Sequence, residues 1–263
     1  MDLIDIGANL TNKRLYSQLQ DTILNAKNAG VVHQIITGTC LDSSEQALQI
    51  SKSHPNYLSS TAGCHPHDAK DFKVSDQKLL EQLSQHQEVV AIGECGLDFN
   101  RNFSPQDTQQ KVFETQIEIA CKVNLPLFMH QRDAHKRFVE ILSRYKGQFK
   151  SGVIHCFTGD KEQLKDCLDL GLHIGITGWI CDQRRSAELQ EAVKYLPLDR
   201  MMIETDAPYL LPRNIKPKPK SSTNVPANLP WVLKRLAELL NTDAEIIAQQ
   251  TTNNARTFFS LTI

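Results

Sequence analysis

The sequence has no long hydrophobic run and no strong charge of either sign. Because no stretch reaches the roughly 18 consecutive apolar residues of a membrane span, we expect no transmembrane helix. The N-terminal residues contain no basic segment followed by an apolar core, so we expect no signal peptide. The formal net charge of -1 excludes a global basic field and argues against tight, non-specific binding of duplex DNA.

Two short motifs are also missing. The 7 cysteines are irregularly spaced and include no Cys-x-x-Cys pair, which indicates a reduced, cytoplasmic protein rather than a disulfide framework or a zinc knuckle. No Gly-x-Gly-x-x-Gly follows the first apolar run, and this argues against an open sheet that binds a dinucleotide.

Short apolar runs alternate with amphipathic segments along the chain. The run at 89–92 is continuous and rich in β-branched residues, which is typical of a strand buried on both faces. Eight strands are predicted, at 3–7, 34–38, 57–62, 89–94, 125–130, 152–157, 172–176 and 200–206. The predicted helices include 42–53, 76–86, 105–122 and 133–145, and two more follow at 229–240 and 243–256.

The alternation of strands and helices predicts the fold class. It indicates βαβ units with a parallel sheet, and eight such units predict an α/β fold of the (β/α)₈ TIM-barrel type. A length of 263 residues is common for such a barrel, so we expect a single domain over residues 1–263. The proline-rich segment 207–228 is predicted to be an extended loop of this domain.

Polar residues stand at the carboxyl ends of the predicted strands, where barrel enzymes have their active sites. They are His65 and His67 after the third strand, Glu94 in the fourth, His130 in the fifth, His155 in the sixth, and Glu204 and Asp206 in the eighth. A carboxylate at the end of an apolar strand is costly without a metal ion or a basic side chain beside it. A single histidine at a strand end is more often structural, but four ligand-type residues on four strand ends favour a divalent metal site.

A metal held by Glu94, His130 and His155 would polarise a carbonyl or phosphoryl oxygen and lower the pKa of a bound water. Asp206 is then placed either to take a proton from that water or to be a further ligand. Other residues have two interpretations each. Arg132 forms a loop ion pair with Asp133, itself a helix N-cap, or contacts phosphate. Turn chemistry alone is enough to explain Asp98. Trp179 either stacks on a base or packs as a lid. The short basic runs either contact phosphates or form a solvated face; they are Arg184, Arg185, Lys216, Lys218 and Lys220.

Several of these segments together resemble the TatD family of metal-dependent deoxyribonucleases, in order and spacing, over nearly the whole chain. The segments are 63–67, 92–98, 130–134, 155–159 and 204–210. The resemblance implies a TIM barrel of the amidohydrolase-like superfamily and a metal-dependent nuclease. It implies 3′-to-5′ exonuclease action on single-stranded DNA and RNA, with a role in the repair of oxidatively damaged DNA. It also implies that Glu94, His130 and His155 are metal ligands, that Asp206 is a ligand or general base, and that His65 lies near the substrate phosphate.

The first strand departs from the family pattern. Many members begin with Asp-x-His-x-His, whose two histidines hold one metal of a pair, whereas this chain has Asp5, Gly7 and Asn9 at the corresponding positions. We therefore expect one firmly held ion and a second one recruited with the substrate, with Asn9 among the substrate-binding residues. Mg²⁺ fits this arrangement because it keeps waters and binds together with phosphates, and Mn²⁺ and Zn²⁺ are the alternatives.

The expected function is hydrolysis of phosphodiesters at the 3′ ends of single-stranded DNA or RNA, with Asp206 and Glu94 as catalytic residues and with substrate contacts from His65, Arg132 and Asn9. One alternative is another metallohydrolase on the same barrel, such as an amidohydrolase, a lactonase or an aminoacyl-ester hydrolase. A second alternative is a non-catalytic, metal-binding barrel. We expect a cytoplasmic monomer with no membrane partner.

Overall fold

The computed structural model describes residues 1–262. Its strands, numbered β1 to β8, are Leu3–Ala8, Val31–Ile36, Leu58–Ala62, Val89–Asp98, Leu127–Arg132, Gly152–Ile154, His173–Ile176 and Met201–Ile203. The α-helices within the described residues, α1 to α10, are Lys13–Tyr16, Leu19–Asn28, Leu41–Lys52, Val74–Leu83, Gln106–Val123, His135–Arg144, Lys161–Asp169, Ala187–Ala192, Leu229–Leu240 and Ala244–Phe259.

The strands belong to one eight-stranded sheet, and their order in the sheet is the order of the chain, from β1 to β8. The pairings described are parallel, and helices connect the successive strands. This is the (β/α)₈ arrangement, so the predicted fold class is confirmed. Within residues 1–262, no helix combines the length and apolar character that a bilayer crossing requires.

The chain divides into two compact units. The first comprises Met1–Ile36, Cys156–Lys165 and His173–Ile263, and within it β1 pairs with β2, β7 pairs with β8, and a parallel bridge joins Ala8 to Ala207. The second comprises Thr37–His155 and Asp166–Leu172, and within it β3, β4, β5 and β6 pair in succession. A single domain over 1–263 stays a prediction, and its last residue lies outside the described range.

The second unit is built around β4, in which all ten residues are buried. Helix α5 packs on β4, and α6 packs on β5. Phe113 of α5 and Phe138 of α6 stack with their ring centroids 5.2 Å apart and their planes at 9°. Because burial of a phenylalanine stabilises the folded state by roughly 1.5–3 kcal/mol, these rings fix the two helices against the strands that carry the site.

Some strand boundaries differ from the prediction. Strand β2 begins at Val31 rather than at residue 34, because Leu3 of β1 pairs with Val31 and extends the parallel ladder. Strand β4 continues past Glu94, its predicted end, to Asp98. Strands β6 and β8 end at Ile154 and Ile203, earlier than predicted. His155 and Asp206 therefore lie in the loops that follow their strands.

The starts of two helices also differ. Helix α3 begins at Leu41 with Cys40 as its N-cap, and Ser43 lies in its first turn, where its hydroxyl accepts a hydrogen bond from the Cys40 N–H at 2.9 Å. Helix α4 begins at Val74 because Asp76 acts from the third helical position and accepts from the Lys73 N–H at 2.8 Å. In both helices the polar residue satisfies a backbone donor at the N-terminus from inside the first turn.

Candidate metal centre and its surroundings

Four residues predicted for the site surround one carboxylate oxygen in the second unit. Glu94 Oε1 lies 3.2 Å from His130 Nδ1, 3.2 Å from His155 Nε2 and 3.4 Å from His65 Nε2. The four side chains are between 4% and 18% exposed. The structure therefore brings together residues of β4 and β5 and residues of the segments that follow β3 and β6.

The spacing of these atoms fits a metal ion. His65, Glu94 and His130 each offer one ligand atom, and these atoms lie within 4.8 Å of one another. Ligands about 2.0–2.2 Å from a tetrahedral ion lie roughly 3.3–3.6 Å from each other, which is close to the separations around Glu94 Oε1. Imidazole nitrogens combined with a carboxylate oxygen are a donor set for a divalent transition metal.

The pKa shifts of Glu94 and His65 favour the forms that bind a cation. Burial alone would raise the pKa of Glu94, but the His155 and His65 imidazoles and hydrogen bonds with His130 and His155 outweigh it and hold that pKa well below its usual range. Burial lowers the pKa of His65 to about 3, so its imidazole is neutral at pH 7. A charged carboxylate and a neutral imidazole are the forms that bind a metal ion.

A glycine allows β4 and β5 to approach closely beside the cluster. Gly96 pairs in register with His130 and has φ of +137°, in the region that favours glycine. A Cβ at this position would lie 1.9 Å from the His130 carbonyl oxygen. Because side chains alternate along a strand, Glu94 and Asp98 point to the same side of β4.

Asp98 contacts the cluster through His130, which turn chemistry alone did not predict. Asp98 Oδ2 lies within hydrogen-bond distance of His67 Nε2, at 2.8 Å, and 3.6 Å from His130 Nε2. Asp98 Oδ1 accepts hydrogen bonds from the backbone N–H groups of Asn100 and Arg101. Burial would raise the pKa of Asp98, but the nearby His130 imidazole and hydrogen bonds from the Arg101 amide and His67 outweigh it and lower that pKa. The two-residue period of β4 is the sequence signal that could have found this residue.

Two buried glutamines of α5 support the same region, and sequence reasoning missed both. Gln116 accepts from the Cys64 N–H at 2.7 Å and donates to the Cys64 carbonyl at 2.9 Å, next to His65. Gln109 accepts from the Asp98 N–H at 2.9 Å and donates to the Asp98 carbonyl at 3.0 Å. These residues are seven apart on one helix face, so α5 fixes the backbone beside both His65 and Asp98.

Asp206 and Asn9 interact with each other in the first unit. The Asn9 side-chain N–H donates to Asp206 Oδ1 at 2.9 Å and to the Ala207 carbonyl at 3.2 Å. Asp206 has φ of +51°, and its backbone N–H donates to the Gly7 carbonyl at 2.8 Å. The structure thus places Asn9 as a partner that orients the Asp206 carboxylate.

Asp5 supports the backbone that leads to Asp206. Its carboxylate accepts from the Thr205 N–H at 2.9 Å, from the Thr205 hydroxyl at 2.5 Å and from the Gly7 N–H at 3.3 Å. Burial raises the pKa of Asp5 to about 7, against the opposing effect of the Thr205 hydrogen bonds. Asp5 therefore joins the middle of β1 to the residues that follow β8.

Arg132 and Asp133 do not behave as the predicted loop ion pair. Asp133 Oδ2 accepts from the Asn100 side chain at 2.7 Å, and the N-cap of α6 is Ala134 rather than Asp133. Asp133 has φ of +53°, a left-handed conformation that differs from the extended backbone typical of an N-cap residue. The Arg132 side chain is exposed at the end of β5.

Comparisons with known proteins agree with this architecture. The family model described as "TatD related DNase" matches residues 4–260. A "3'-5' ssDNA/RNA exonuclease TatD" from Pectobacterium parmentieri is 45% identical over 259 residues, covering 98% of this chain and 100% of the relative. The protein of the same name from Salmonella typhimurium is also 45% identical, covering 98% of this chain and 99% of the relative.

A TatD homologue from Escherichia coli has a solved structure with a TM-score of 0.90 and 27% identity, covering 99% of this chain and 98% of that one. A hydrolase of the TatD family from Entamoeba histolytica gives a TM-score of 0.89 at 27% identity, covering 100% of this chain and 99% of that one. The family model and the relatives span nearly the whole sequence, and the chain belongs to the TatD-related DNase family of hydrolases.

Proposed function

We propose that this protein is a divalent-metal-dependent 3′-to-5′ exonuclease of single-stranded DNA and RNA. The observation that carries the proposal is the set of three imidazole nitrogens 3.2–3.4 Å from Glu94 Oε1 in a chain of this family. Relatives that are 45% identical over almost the entire chain are named for this activity, which supports the same substrate class here.

A divalent ion at the cluster would supply Lewis acidity, which stabilises charge on a phosphoryl oxygen and acidifies a nearby water. Glu94, His130 and His155 hold this ion in our proposal. His65 serves as a further donor or contacts the substrate phosphate, since its Nε2 lies 3.4 Å from Glu94 Oε1, only slightly farther than the other nitrogens. Because these side chains are mostly buried, they are ordered before the substrate arrives.

Asp206 acts in this proposal as the group that takes the proton from the attacking water, or as a further ligand. Asn9 orients it, because one Asn9 side-chain N–H donates to the Asp206 oxygen Oδ1 at 2.9 Å. Arg132 contacts a substrate phosphate through its exposed guanidinium, whose planar donors match phosphate oxygens.

Two opposing chemical preferences bear on which ion the cluster binds. Mg²⁺ binds together with phosphates and keeps waters, which supports it as the ion recruited with the substrate. Several imidazoles beside Glu94 instead suit Zn²⁺, whereas Mn²⁺ shares the preference of Mg²⁺ for oxygen ligands. A panel of the three ions therefore belongs in the first assay.

The test uses metal-stripped protein and a single-stranded oligonucleotide labelled at either end. With a 5′ label, added metal should produce a ladder of strands that shorten one nucleotide at a time, whereas a 3′ label should appear at once in mononucleotide. Glu94→Gln and Asp206→Asn should each reduce the rate by about 10²–10⁴-fold, the range for loss of a positioned acid or base. Glu140→Gln is the matched control, because Glu140 is exposed on α6 and pairs only with Arg137 at 3.2 Å among the contacts described.

Failure to cleave with any of the three ions, in protein shown to be folded, would refute the nuclease. Ester and amide substrates would then test the alternative metallohydrolase. Equal activity in Asp206→Asn and the wild-type protein would refute the role proposed for Asp206 but not the nuclease activity.

We further propose that the protein acts as a monomer in the cytoplasm and contributes to repair of oxidatively damaged DNA. The seven free cysteines within the described residues support a reducing compartment. Light scattering tests the monomer, and survival of a deletion strain under peroxide tests the repair role.

A further inference from the structure

Three arginines converge on one carboxylate in the first unit. Asp182 accepts from Arg184 Nε and Nη2, both at 2.8 Å, from Arg185 Nε at 3.1 Å, and pairs with Arg213 Nε at 3.1 Å. The Asp182 side chain is 3% exposed, whereas those of Arg184, Arg185 and Arg213 are 63%, 50% and 56% exposed. We call these four residues the Asp182 arginine cluster.

The charge of the cluster exceeds what its buried carboxylate requires. One guanidinium in a bidentate pair with Asp182, as formed by Arg184, already compensates the negative charge. Arg185 and Arg213 leave an excess of two positive charges on an exposed surface. Holding like charges together is unfavourable in the absence of an anion, so the cluster is charge-complementary to a polyanion.

The loops around the cluster hold the arginines in position. Arg185 lies over the Trp179 ring with its guanidinium carbon 4.1 Å from the centroid, so this tryptophan packs against an arginine. A Cβ at Gly178 would lie 2.0 Å from the Leu210 carbonyl oxygen, which shows how closely the loop after β8 passes the turn after β7. This close approach brings Arg213 to Asp182, and the guanidinium groups are ordered before any ligand binds.

The segment next to the cluster in the sequence carries positive charges and no negative ones. Between Asp206 and Glu238 the chain has no acidic residue, and it carries exposed Lys216, Lys218 and Lys220 shortly after Arg213. Since the whole chain has a formal net charge of -1, this positive charge is a local feature. The loops concerned follow the carboxyl ends of β7 and β8, the ends at which barrel enzymes bind their substrates.

We propose that the Asp182 arginine cluster binds backbone phosphates of the single-stranded nucleic acid, at nucleotides other than the one being removed. This inference rests on the proposed function for the class of its occupant. Guanidinium groups match phosphate oxygens through parallel N–H donors, and a flexible single strand can fit its phosphates to donors that are already fixed. The binding carries no base preference, because only the backbone is contacted.

The test measures binding rather than cleavage. The full-length protein with its metal is titrated into a fluorescent oligothymidylate with phosphorothioate linkages, and anisotropy gives the affinity at several salt concentrations. Each phosphate contact contributes roughly 0.7 to the slope of log K against log salt for single strands. We expect Arg185→Gln and Arg213→Gln each to reduce the slope by about that amount, and the corresponding lysine variants to retain it.

Arg144→Gln is the matched control, because Arg144 is 52% exposed and pairs with Glu114 in the second unit. It removes the same charge and should leave the slope unchanged. Slopes for Arg185→Gln and Arg213→Gln that equal the control slope would overturn the inference, as would binding of inorganic phosphate without binding of the strand. Thermal midpoints identify a variant that fails to fold, and the lysine variants then carry the comparison.

The outcomes separate this inference from the proposed function. Cluster-dependent binding by a protein that does not degrade an unmodified strand with any of the three ions would support the surface and refute the nuclease. Stepwise degradation with salt slopes that ignore the cluster would support the nuclease and refute the surface.

Discussion

Gln116 provides the sharpest test of how the site is supported, because it is fully buried and satisfies both backbone groups of Cys64. Gln116→Met keeps a similar volume but removes both hydrogen bonds. An unpaired buried polar group costs about 1–3 kcal/mol, and two such groups are left at Cys64, so we expect the free energy of unfolding to fall by about 2–6 kcal/mol. Because His65 follows Cys64 directly, loss of these hydrogen bonds should displace His65 and so weaken metal binding.

Urea unfolding of the metal-free protein measures the stability change without a contribution from the ion, and calorimetric titration measures metal affinity. Gln106→Met is the matched control, because Gln106 lies exposed in the first turn of α5 and donates only to Asn102 at 3.1 Å among the contacts described. Its effect should lie within about 0.5 kcal/mol, as for most surface substitutions. A Gln116→Met variant as stable as this control would refute the reasoning.

Three further predictions concern the centre and the pH dependence of stability. Asp98→Asn should lower metal affinity about 10–100-fold, because a residue that orients a ligand typically contributes that much, and an unchanged calorimetric affinity would contradict its role at His130. With the ion present at 100 times its Kd, the free energy of unfolding should be about 2.7 kcal/mol higher than after the metal is removed with a chelator. The Glu94→Gln variant should have the same free energy of unfolding with and without the ion. Burial and the nearby Arg200 charge lower the pKa of His173 from 6.5 to about 4, so the unfolded state binds the proton more tightly and stability should fall as pH drops from 6.5 to 4. The free energy of unfolding should fall by about 1–2 kcal/mol over this pH range, after allowance for solvent screening. Urea midpoints that fall as much in the His173→Gln variant as in the wild-type protein would count against this prediction.

Much of the fold and part of the site could be predicted from the chain alone. Apolar runs such as that of β4 are recognisable because a strand buried on both faces must be apolar throughout. Glu94, His130 and His155 stood out because polar side chains interrupt such runs at their carboxyl ends. The lengths of β6 and β8 were less predictable, since strand ends depend on pairing with neighbours and not on local residue preference.

The partners of individual side chains could not be predicted in the same way. Asp98 looked like a turn residue because its contacts with Asn100 and Arg101 are local, while its contact with His130 spans 32 positions of the sequence. Gln116 looked like an ordinary polar residue of a helix, since its partner Cys64 lies 52 positions away. Such contacts depend on how helices pack on strands.

The sequence by itself determined the order of strands and helices, the residue types at the strand ends and the membership of the family, because periodicity and motif spacing are local properties of the chain. The tertiary structure decided that three imidazoles meet one oxygen of Glu94, that Asn9 orients Asp206, and that Arg213 joins Arg184 and Arg185 at Asp182. Distances between atoms far apart in the chain follow from strand register and loop packing, which no local pattern encodes.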